Sequence, residues 1–266
     1  MDYLSAIRKQ KPMIHNITNI VVANFSANGL LALGASPAMA NAPEEVEEMV
    51  SHADALVLNI GTCTQTQVEA MLLAGKAAND QGIPVILDPV AVGTTNFRKN
   101  TVQQILTEID VAVIRGNTGE IAYLGELSVE MKGADALLDE IAPDIAIETA
   151  KKHGAIVIAT GRTDIITDSE NYTLCRNGVS MLPYVTGSGC LLTAVVGAFV
   201  SVSDDCYQGA VQAVISYGVA AELAWKEAQG PGTFLSAFLD ELYQITEPTV
   251  LKHRQIEEFT KQGGPI

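Results

Sequence analysis

Short apolar runs alternate with longer segments of helical periodicity along most of this 266-residue chain. Strands that alternate with helices are typical of a parallel sheet covered by helices on both faces. No internal repeat and no linker rich in proline or serine interrupts the pattern, so we expect residues 1–266 to form one α/β domain. Four runs are predicted to be buried strands: ALVLNIG from Ala55, IPVILDP from Ile83, VAVIRGN from Val111 and AIVIATG from Ala155.

The segments around these runs predict helices and a hairpin. TQVEAMLLAGKAANDQG carries apolar residues three and four apart, and Gly82 supplies a helix stop. TDIITD and NYTLCRNG predict a hairpin that turns at residues 168–171. Near the N-terminus, Asn16 or Thr18 is expected to cap a helix that ends at Gly34. From Gly187 onwards we expect mostly helix, including a solvated helical face at KHRQIEEFTKQGG.

The charge balance restricts the class of ligand. Acidic residues outnumber basic residues by 31 to 16, which gives a net charge of −15. A nucleic-acid-binding protein needs a basic surface, so this balance argues against one. A phosphate-bearing ligand would need a local positive field from a helix start, an arginine or a metal.

Cysteine use and hydropathy bear on location. The cysteines at positions 63, 175, 190 and 206 have neither zinc-site spacing nor the density of a disulfide scaffold, so a reducing, cytoplasmic location is expected. The first residues, MDYLSAIRKQKPM, lack the apolar core of a signal peptide. Residues 14–43 contain no Asp, Glu, Lys or Arg, but several asparagines there disfavour a membrane span.

Residues 185–190, VTGSGC, which we call the anion loop, precede a long run of small and apolar residues. Unpaired amide groups at a helix start bind anions, and glycine allows a phosphate to approach the backbone. The chain has no Walker A motif, and Leu192 occupies the place of the third glycine of a dinucleotide fingerprint. A structural alternative is that Gly187 and Gly189 form only a tight helix entry and that Cys190 is a small buried residue.

Cys190 has two chemical interpretations. A helix start is expected to lower a thiol pKa, which would make Cys190 a base or a nucleophile. A nucleophile requires an activating histidine, and no local motif identifies one. A base needs only to accept a proton from a substrate hydroxyl beside a bound phosphate. The second interpretation fits an anion loop better.

Polar residues at other strand ends are also candidates. Arg115 can bind phosphate oxygens through its planar guanidinium. Asn117 and Glu120 could bind a nucleotide-associated Mg²⁺, or they could form a capping box without any ligand, and the sequence does not decide between these roles. Asp88 could orient a metal or water or could be a turn residue. Thr160 could contact a phosphate or simply end a strand.

Met39 lies in a loop of small residues, GASPAMA. Its polarizable sulfur suits a flat heteroaromatic ligand, although methionine is more often a packing residue. Without further context, the interpretation of Met39 as a packing residue is favoured.

The ordered set of motifs resembles the hydroxyethylthiazole kinases of the ribokinase-like superfamily over nearly the whole chain. The motifs are HNITN, GASPAM, LNIGT, ILDPVAVG, IRGNTGEI, IATG and VTGSGC. The resemblance implies an αβα sandwich with a mostly parallel sheet. It also implies that ATP, with Mg²⁺, phosphorylates the primary alcohol of 4-methyl-5-(2-hydroxyethyl)thiazole in thiamine salvage. A homotrimer with active sites between subunits is implied as well.

The resemblance also implies roles for individual residues. Met39 would contact the thiazole, and Gly187 would lie on the substrate side of the anion loop. Arg115 and Thr160 would bind ATP. Cys190 takes the place at which most ribokinase-like enzymes have an aspartate.

The same matching assigns the metal site. Asn117 and Glu120 match an N-x-x-E element that organises the metal, and Asp88 is a further metal candidate.

The sequence is also compatible with several other functions. The nearest is another small-alcohol kinase of the same superfamily, such as a hydroxymethylpyrimidine kinase. A repair dehydratase for hydrated nicotinamide cofactors shares the fold but would be expected to keep the loop aspartate. A non-catalytic thiazole or nucleotide sensor and a cysteine hydrolase belong to other functional classes.

Overall fold

The computed structural model of the chain describes residues 1–125 and 142–260. Its strands form a single sheet in the order β2-β1-β3-β4-β5-β6-β7-β8-β9. The strands are β1 (Met13–Ile17), β2 (Ser36–Ala38), β3 (Ala55–Asn59), β4 (Val85–Asp88), β5 (Val113–Asn117), β6 (Ile156–Thr160), β7 (Asp164–Thr167), β8 (Asn171–Cys175) and β9 (Ile256–Thr260). The helices are α1 (Tyr3–Gln10), α2 (Ala23–Leu33), α3 (Val46–Val50), α4 (Gln65–Asp80), α5 (Asn96–Glu108), α6 (Thr118–Leu124), α7 (Pro143–His153), α8 (Ser188–Ser201), α9 (Cys206–Glu227), α10 (Pro231–Gln244) and α11 (Glu247–His253).

The sheet is mostly parallel, as predicted. Strands β2, β1, β3, β4, β5 and β6 pair in parallel, and β7, β8 and β9 extend the sheet with antiparallel pairs. The four buried strands predicted from apolar runs are β3, β4, β5 and β6. The predicted hairpin is β7–β8, and the predicted helix with its stop at Gly82 is α4.

Alternating side chains of the central strands supply two apolar cores, one on each face of the sheet. Leu56 and Leu58 belong to the core with helices α3 to α7, whereas Ala55 and Val57 belong to the core with α1, α2 and α8 to α11. Successive side chains of a strand point to opposite faces, so a strand buried on both faces is apolar throughout. The helix layers on both faces give the expected αβα arrangement.

Helix α8 is buried over its whole middle, from Leu191 to Val200. It packs between the central strands and α9, with Gly197 against the sheet. A Cβ on Gly197 would be 3.2 Å from Cγ2 of Val57 and 3.3 Å from Cγ2 of Ile14, so glycine permits this close packing. The position of α8 brings the anion loop to the carboxyl ends of the parallel strands.

The predicted helix start at Asn16 or Thr18 is wrong. Residues 13–17 form β1, which pairs with β2 on one side and β3 on the other, and α2 begins only at Ala23. Pairing with two neighbouring strands outweighs the local capping preference. The predicted end at Gly34 is confirmed, and this glycine adopts a positive φ of 106°.

The C-terminal prediction is also wrong in part. Residues 256–260 form strand β9, antiparallel to β8, where a solvated helix was expected. An ion pair between Arg176 and Glu257 joins the two segments. The expected helix also includes residues 261–264, which lie outside the described residues.

Among residues 1–125 and 142–260, no helix has both the length and the apolar character needed to cross a membrane.

Candidate active site

Polar residues meet at the carboxyl edge of the parallel strands. Asn59 ends β3 beside Asp88 at the end of β4, and Asn117 ends β5 beside Thr160 at the end of β6. The N-terminal part of α8 approaches the same edge, because Thr193 in its second turn donates a hydrogen bond to Asp88. Ligands of open α/β sheets bind at this edge.

The anion loop requires glycine at two positions. Gly187 has a φ of 89°, and a Cβ there would be 2.4 Å from Cγ1 of Val22. A Cβ on Gly189 would be 2.5 Å from Nη1 of Arg115. The N-cap residue of α8 is Gly187, which has no side chain to cap the helix start. The backbone of the first turn therefore contacts the guanidinium and keeps amide donors available for an anion.

Asp88 lies at the centre of this group and is 1% exposed. Its Oδ2 accepts hydrogen bonds from Nδ2 of Asn59 and from Oγ1 of Thr193, both at 2.8 Å. Nη1 of Arg115 lies 4.0 Å from the same oxygen. Burial raises the pKa of Asp88, and the charge of Arg115 opposes that increase.

The second carboxylate oxygen of Asp88, Oδ1, is buried and has no hydrogen-bond partner among the described residues. A buried polar atom without a partner is costly, so this oxygen suits a ligand or a hard cation. The described parts of the chain contain no group of three or more His, Cys, Asp or Glu residues that could bind a metal by themselves. The donors fit a cation that takes most of its ligands from phosphate and water.

Arg115 connects β5 to β6. Its Nη2 donates to Oγ1 of Thr160 at 2.6 Å, and that hydroxyl donates to the carbonyl of Gly116 at 3.2 Å. Its side chain is 12% exposed, and Nε is buried without a partner among the described residues. The guanidinium is thus positioned beside Asp88, Thr160 and Gly189 together. These three residues lie far apart in the sequence.

Cys190 is half-buried in the first turn of α8. Nδ2 of Asn19 lies 3.5 Å from its Sγ, and the side chain of Asn59 also interacts with the thiol. Burial raises the pKa of Cys190 to about 11, and the negative charge of Asp88 acts in the same direction. The expectation that the helix start lowers this pKa is therefore wrong. Desolvation of the thiol and the negative charge of the neighbouring carboxylate both disfavour the thiolate.

Asn117 and Glu120 form the capping box that the sequence left open. Glu120 donates its backbone N–H to Oδ1 of Asn117 at 2.9 Å, and Asn117 donates its N–H to Oε2 of Glu120 at 2.7 Å. Oε1 of Glu120 accepts the N–H of Ala91 at 2.7 Å. Burial raises the pKa of Glu120, and the charge of Asp88 raises it further. Both carboxylate oxygens therefore already accept backbone donors, while Asn117 is exposed.

Met39 follows strand β2 and is half-buried. It lies at the same edge of the sheet, two strands away from Asn59. The adjacent carbonyl of Ala40 lies 2.8 Å from Nε2 of His15, whose position on β1 anchors the loop.

Sequence reasoning missed four polar residues around the site. Asn59 ends a predicted strand, so its position in LNIGT could have identified it. The other three carry no local signal, because Thr193 and Tyr217 lie inside helices and Asn19 lies in a turn that was expected to be helical.

Comparison with solved structures relates the fold to known kinases. The pyridoxal kinase of Staphylococcus aureus in complex with AMP-PCP and pyridoxal superposes with a TM-score of 0.66 at 14% identity, covering 94% of this chain and 98% of that chain. At this identity the similarity shows the fold alone. The hydroxyethylthiazole kinase protein of Pyrococcus horikoshii OT3 superposes with a TM-score of 0.88 at 40% identity, covering 97% of each chain.

Sequence comparison gives the family. Hydroxyethylthiazole kinase 2 of Oceanobacillus iheyensis is 52% identical over 259 residues, which is 97% of this chain and 100% of that protein. The sequence model of the hydroxyethylthiazole kinase family matches residues 4–248. The resemblance found in the ordered motifs is thus confirmed, and the chain belongs to the hydroxyethylthiazole kinase family.

Proposed function

We propose that this protein transfers the γ-phosphoryl group of ATP to the primary alcohol of 4-methyl-5-(2-hydroxyethyl)thiazole in thiamine salvage, yielding the thiazole phosphate and ADP. The contact between the first turn of α8 and the guanidinium of Arg115 carries this proposal. Backbone amides and a guanidinium on one side of a site can stabilise a transferring phosphoryl group. Family membership and the names of its relatives support the substrate.

In this proposal, Arg115 and Thr160 bind the phosphates of ATP. Their 2.6 Å hydrogen bond orients the guanidinium so that its remaining donors are available. Gly187 lies on the substrate side of the anion loop, and Met39 contacts the thiazole ring. The polarizable thioether suits a flat heteroaromatic ring.

Mg²⁺ would bind through Oδ1 of Asp88, because this buried oxygen has no partner among the described residues. Glu120 and the exposed Asn117 would contribute through metal-bound water, since both oxygens of the Glu120 carboxylate accept backbone hydrogen bonds. Mg²⁺ would neutralise charge on the phosphates and would keep several of its waters.

Cys190 would act as the base for the substrate hydroxyl. In its thiolate form, Sγ would accept the hydroxyl proton as the new oxygen–phosphorus bond forms. A pKa of about 11 leaves only a small thiolate fraction near neutral pH. Phosphoryl transfer through a loose transition state depends mainly on positioning and charge stabilisation, so proton removal late in the reaction suffices.

We further propose a homotrimer with active sites between subunits. Ile20 is 77% exposed and Val21 is 63% exposed, and both precede Val22, the residue in contact with Gly187. An exposed apolar pair beside a site is typical of a surface that another subunit covers.

The proposal also includes location and domain organisation. The four free cysteines fit a reducing, cytoplasmic location. The single nine-stranded sheet fits one domain over residues 1–266.

The first test measures ADP release from ATP and Mg²⁺ with hydroxyethylthiazole, with hydroxymethylpyrimidine and with neither. Thiazole-dependent release is expected. Release with the pyrimidine alone would assign the protein to a neighbouring kinase activity. Nucleotide binding without ADP release would indicate a sensor, and a covalent adduct at Cys190 during turnover would indicate a hydrolase.

A further inference from the structure

Tyr217 reaches the anion loop from the middle of helix α9. Its hydroxyl donates a 2.6 Å hydrogen bond to the backbone carbonyl of Ser188. The side chain is buried, and its ring packs edge-on against Phe238 at a centroid distance of 4.8 Å and an angle of 84°. None of the roles proposed above uses this tyrosine.

The hydrogen bond determines the orientation of one peptide group. A trans peptide is planar, so a carbonyl directed towards one side places the N–H of the next residue on the opposite side. Because Tyr217 binds the carbonyl of Ser188, the N–H of Gly189 is directed away from the Tyr217 hydroxyl. Gly189 is also the residue whose backbone contacts the guanidinium of Arg115.

A second interaction restrains the same residue. Oγ of Ser188 donates to the carbonyl of Leu182 at 2.9 Å. Ser188 is therefore bonded through its carbonyl to α9 and through its side chain to the segment before the loop. Two restraints on one residue limit rotation of the Ser188–Gly189 peptide.

We propose that Tyr217 is a positioning residue for phosphoryl transfer, because its hydroxyl maintains the orientation of the Ser188–Gly189 peptide at the start of α8. This inference rests on the proposed function. Displacing a preorganised donor reduces the stabilisation of the transition state more than the binding of the ground state. Loss of the hydroxyl should thus lower kcat and leave substrate affinity almost unchanged.

Tyr217→Phe tests the proposal, because it removes one oxygen and keeps the ring that contacts Phe238. Tyr207→Phe is the matched control. Tyr207 lies on the same helix and is also buried, but its hydroxyl bonds to Oγ1 of Thr173 at 2.8 Å, away from the anion loop. Both variants lose one hydrogen bond made by the hydroxyl of a buried tyrosine. Kinetics are measured below the melting temperature of the less stable variant.

We expect Tyr217→Phe to lower kcat at least about tenfold, with the KM values for ATP and thiazole within about twofold of wild type. Tyr207→Phe should keep the kcat of wild type, and its melting temperature should be similar to that of Tyr217→Phe. Binding of ADP with aluminium fluoride, a mimic of the transferring phosphoryl group, should weaken in Tyr217→Phe while binding of ADP alone does not change. Equal kcat in the two variants would overturn the proposal.

Ser188→Ala gives a second measurement, because it removes the hydrogen bond to Leu182 but keeps the backbone carbonyl that Tyr217 binds. It should therefore lower kcat less than Tyr217→Phe does, and an equal or larger loss would overturn the proposal. Failure of the proposed function is distinguishable from these results, because wild-type protein would then show no thiazole-dependent ADP release.

Discussion

A methyl group on Gly189 would lie 2.5 Å from Nη1 of Arg115, so the start of α8 and the guanidinium from β5 are in direct contact. The two groups come from elements separated by more than seventy residues of sequence. Their contact places amide donors and a cation at one point, where a single phosphoryl group can bind both.

Gly189→Ala should displace the guanidinium of Arg115. A displacement of about 1 Å in a catalytic group can cost about 100-fold in rate, so we expect a loss of kcat/KM of that order. Gly232→Ala is the control, because a Cβ at Gly232 would have no neighbour within 4 Å in the described parts of the chain. Steady-state kinetics of both variants measure this loss of kcat/KM. Wild-type activity in Gly189→Ala would show that the close contact has no role in catalysis.

Arg115→Ala should weaken ATP binding far more than thiazole binding. The guanidinium lies between Thr160 and Gly189, on the side assigned to the phosphates. Arg115→Lys keeps the charge but loses the planar donors, and it should recover only part of the affinity. The measurement compares the KM for ATP with the KM for thiazole in each variant. Equal increases in both constants would contradict the assignment of Arg115 to ATP.

Cys190→Ser should lose most activity, because a serine hydroxyl is a much weaker acid than a thiol and supplies almost no anion near neutral pH. Cys190→Asp should keep or improve activity, since a carboxylate ionises more readily. Cys206→Ser is a matched control: this half-buried cysteine also lies in the first turn of a helix, α9, and should tolerate the change. Full turnover in Cys190→Ser would exclude the thiol as the base.

The pH dependence of kcat should differ between wild type and Cys190→Asp. Burial and Asp88 raise the pKa of Cys190 to about 11, so the thiolate fraction increases throughout the range from pH 7 to pH 9. The wild-type kcat should therefore rise with pH across that range, while Cys190→Asp should be nearly independent of pH. Parallel profiles for the two enzymes would indicate that another group controls the rate.

Asp164→Asn should change how the free energy of unfolding depends on pH. Burial raises the pKa of Asp164 from 3.8 to about 7, so the folded chain binds a proton more tightly than the unfolded chain. Stability is then lost as pH rises from about 4 to about 7. Asparagine can still accept the N–H of Gly161, which Oδ1 of Asp164 accepts at 3.0 Å.

Urea denaturation at pH 5 and pH 8 measures this effect. Each pKa unit corresponds to about 1.4 kcal/mol, and pH 5 lies about two units below the folded-state pKa, so we expect wild type to lose about 3 kcal/mol more than Asp164→Asn between these pH values. Identical losses in the two proteins would show that Asp164 does not titrate in this range.

The parallel core was predictable from the sequence for a simple reason. Strands β3, β4 and β6 are buried on both faces, so nearly every position in each of them is apolar, and β5 begins with the same kind of apolar run at Val113 and Ile114. Strand β1 was mistaken for part of a helix because its polar residues His15 and Asn16 are buried there by neighbouring strands. The antiparallel partner of β9 lies about eighty residues away, and no local pattern records that pairing.

The family, the central strands and the polar residues at the strand ends could all be predicted from ordered motifs and local hydropathy. Folding was needed to reveal that Thr193 binds Asp88 from 105 residues away and that Tyr217 binds the carbonyl of Ser188. The folded structure also showed that the pKa of Cys190 is raised and not lowered. Hydrogen bonding and desolvation depend on which groups become neighbours after folding, and residue spacing along the chain does not encode those neighbours directly.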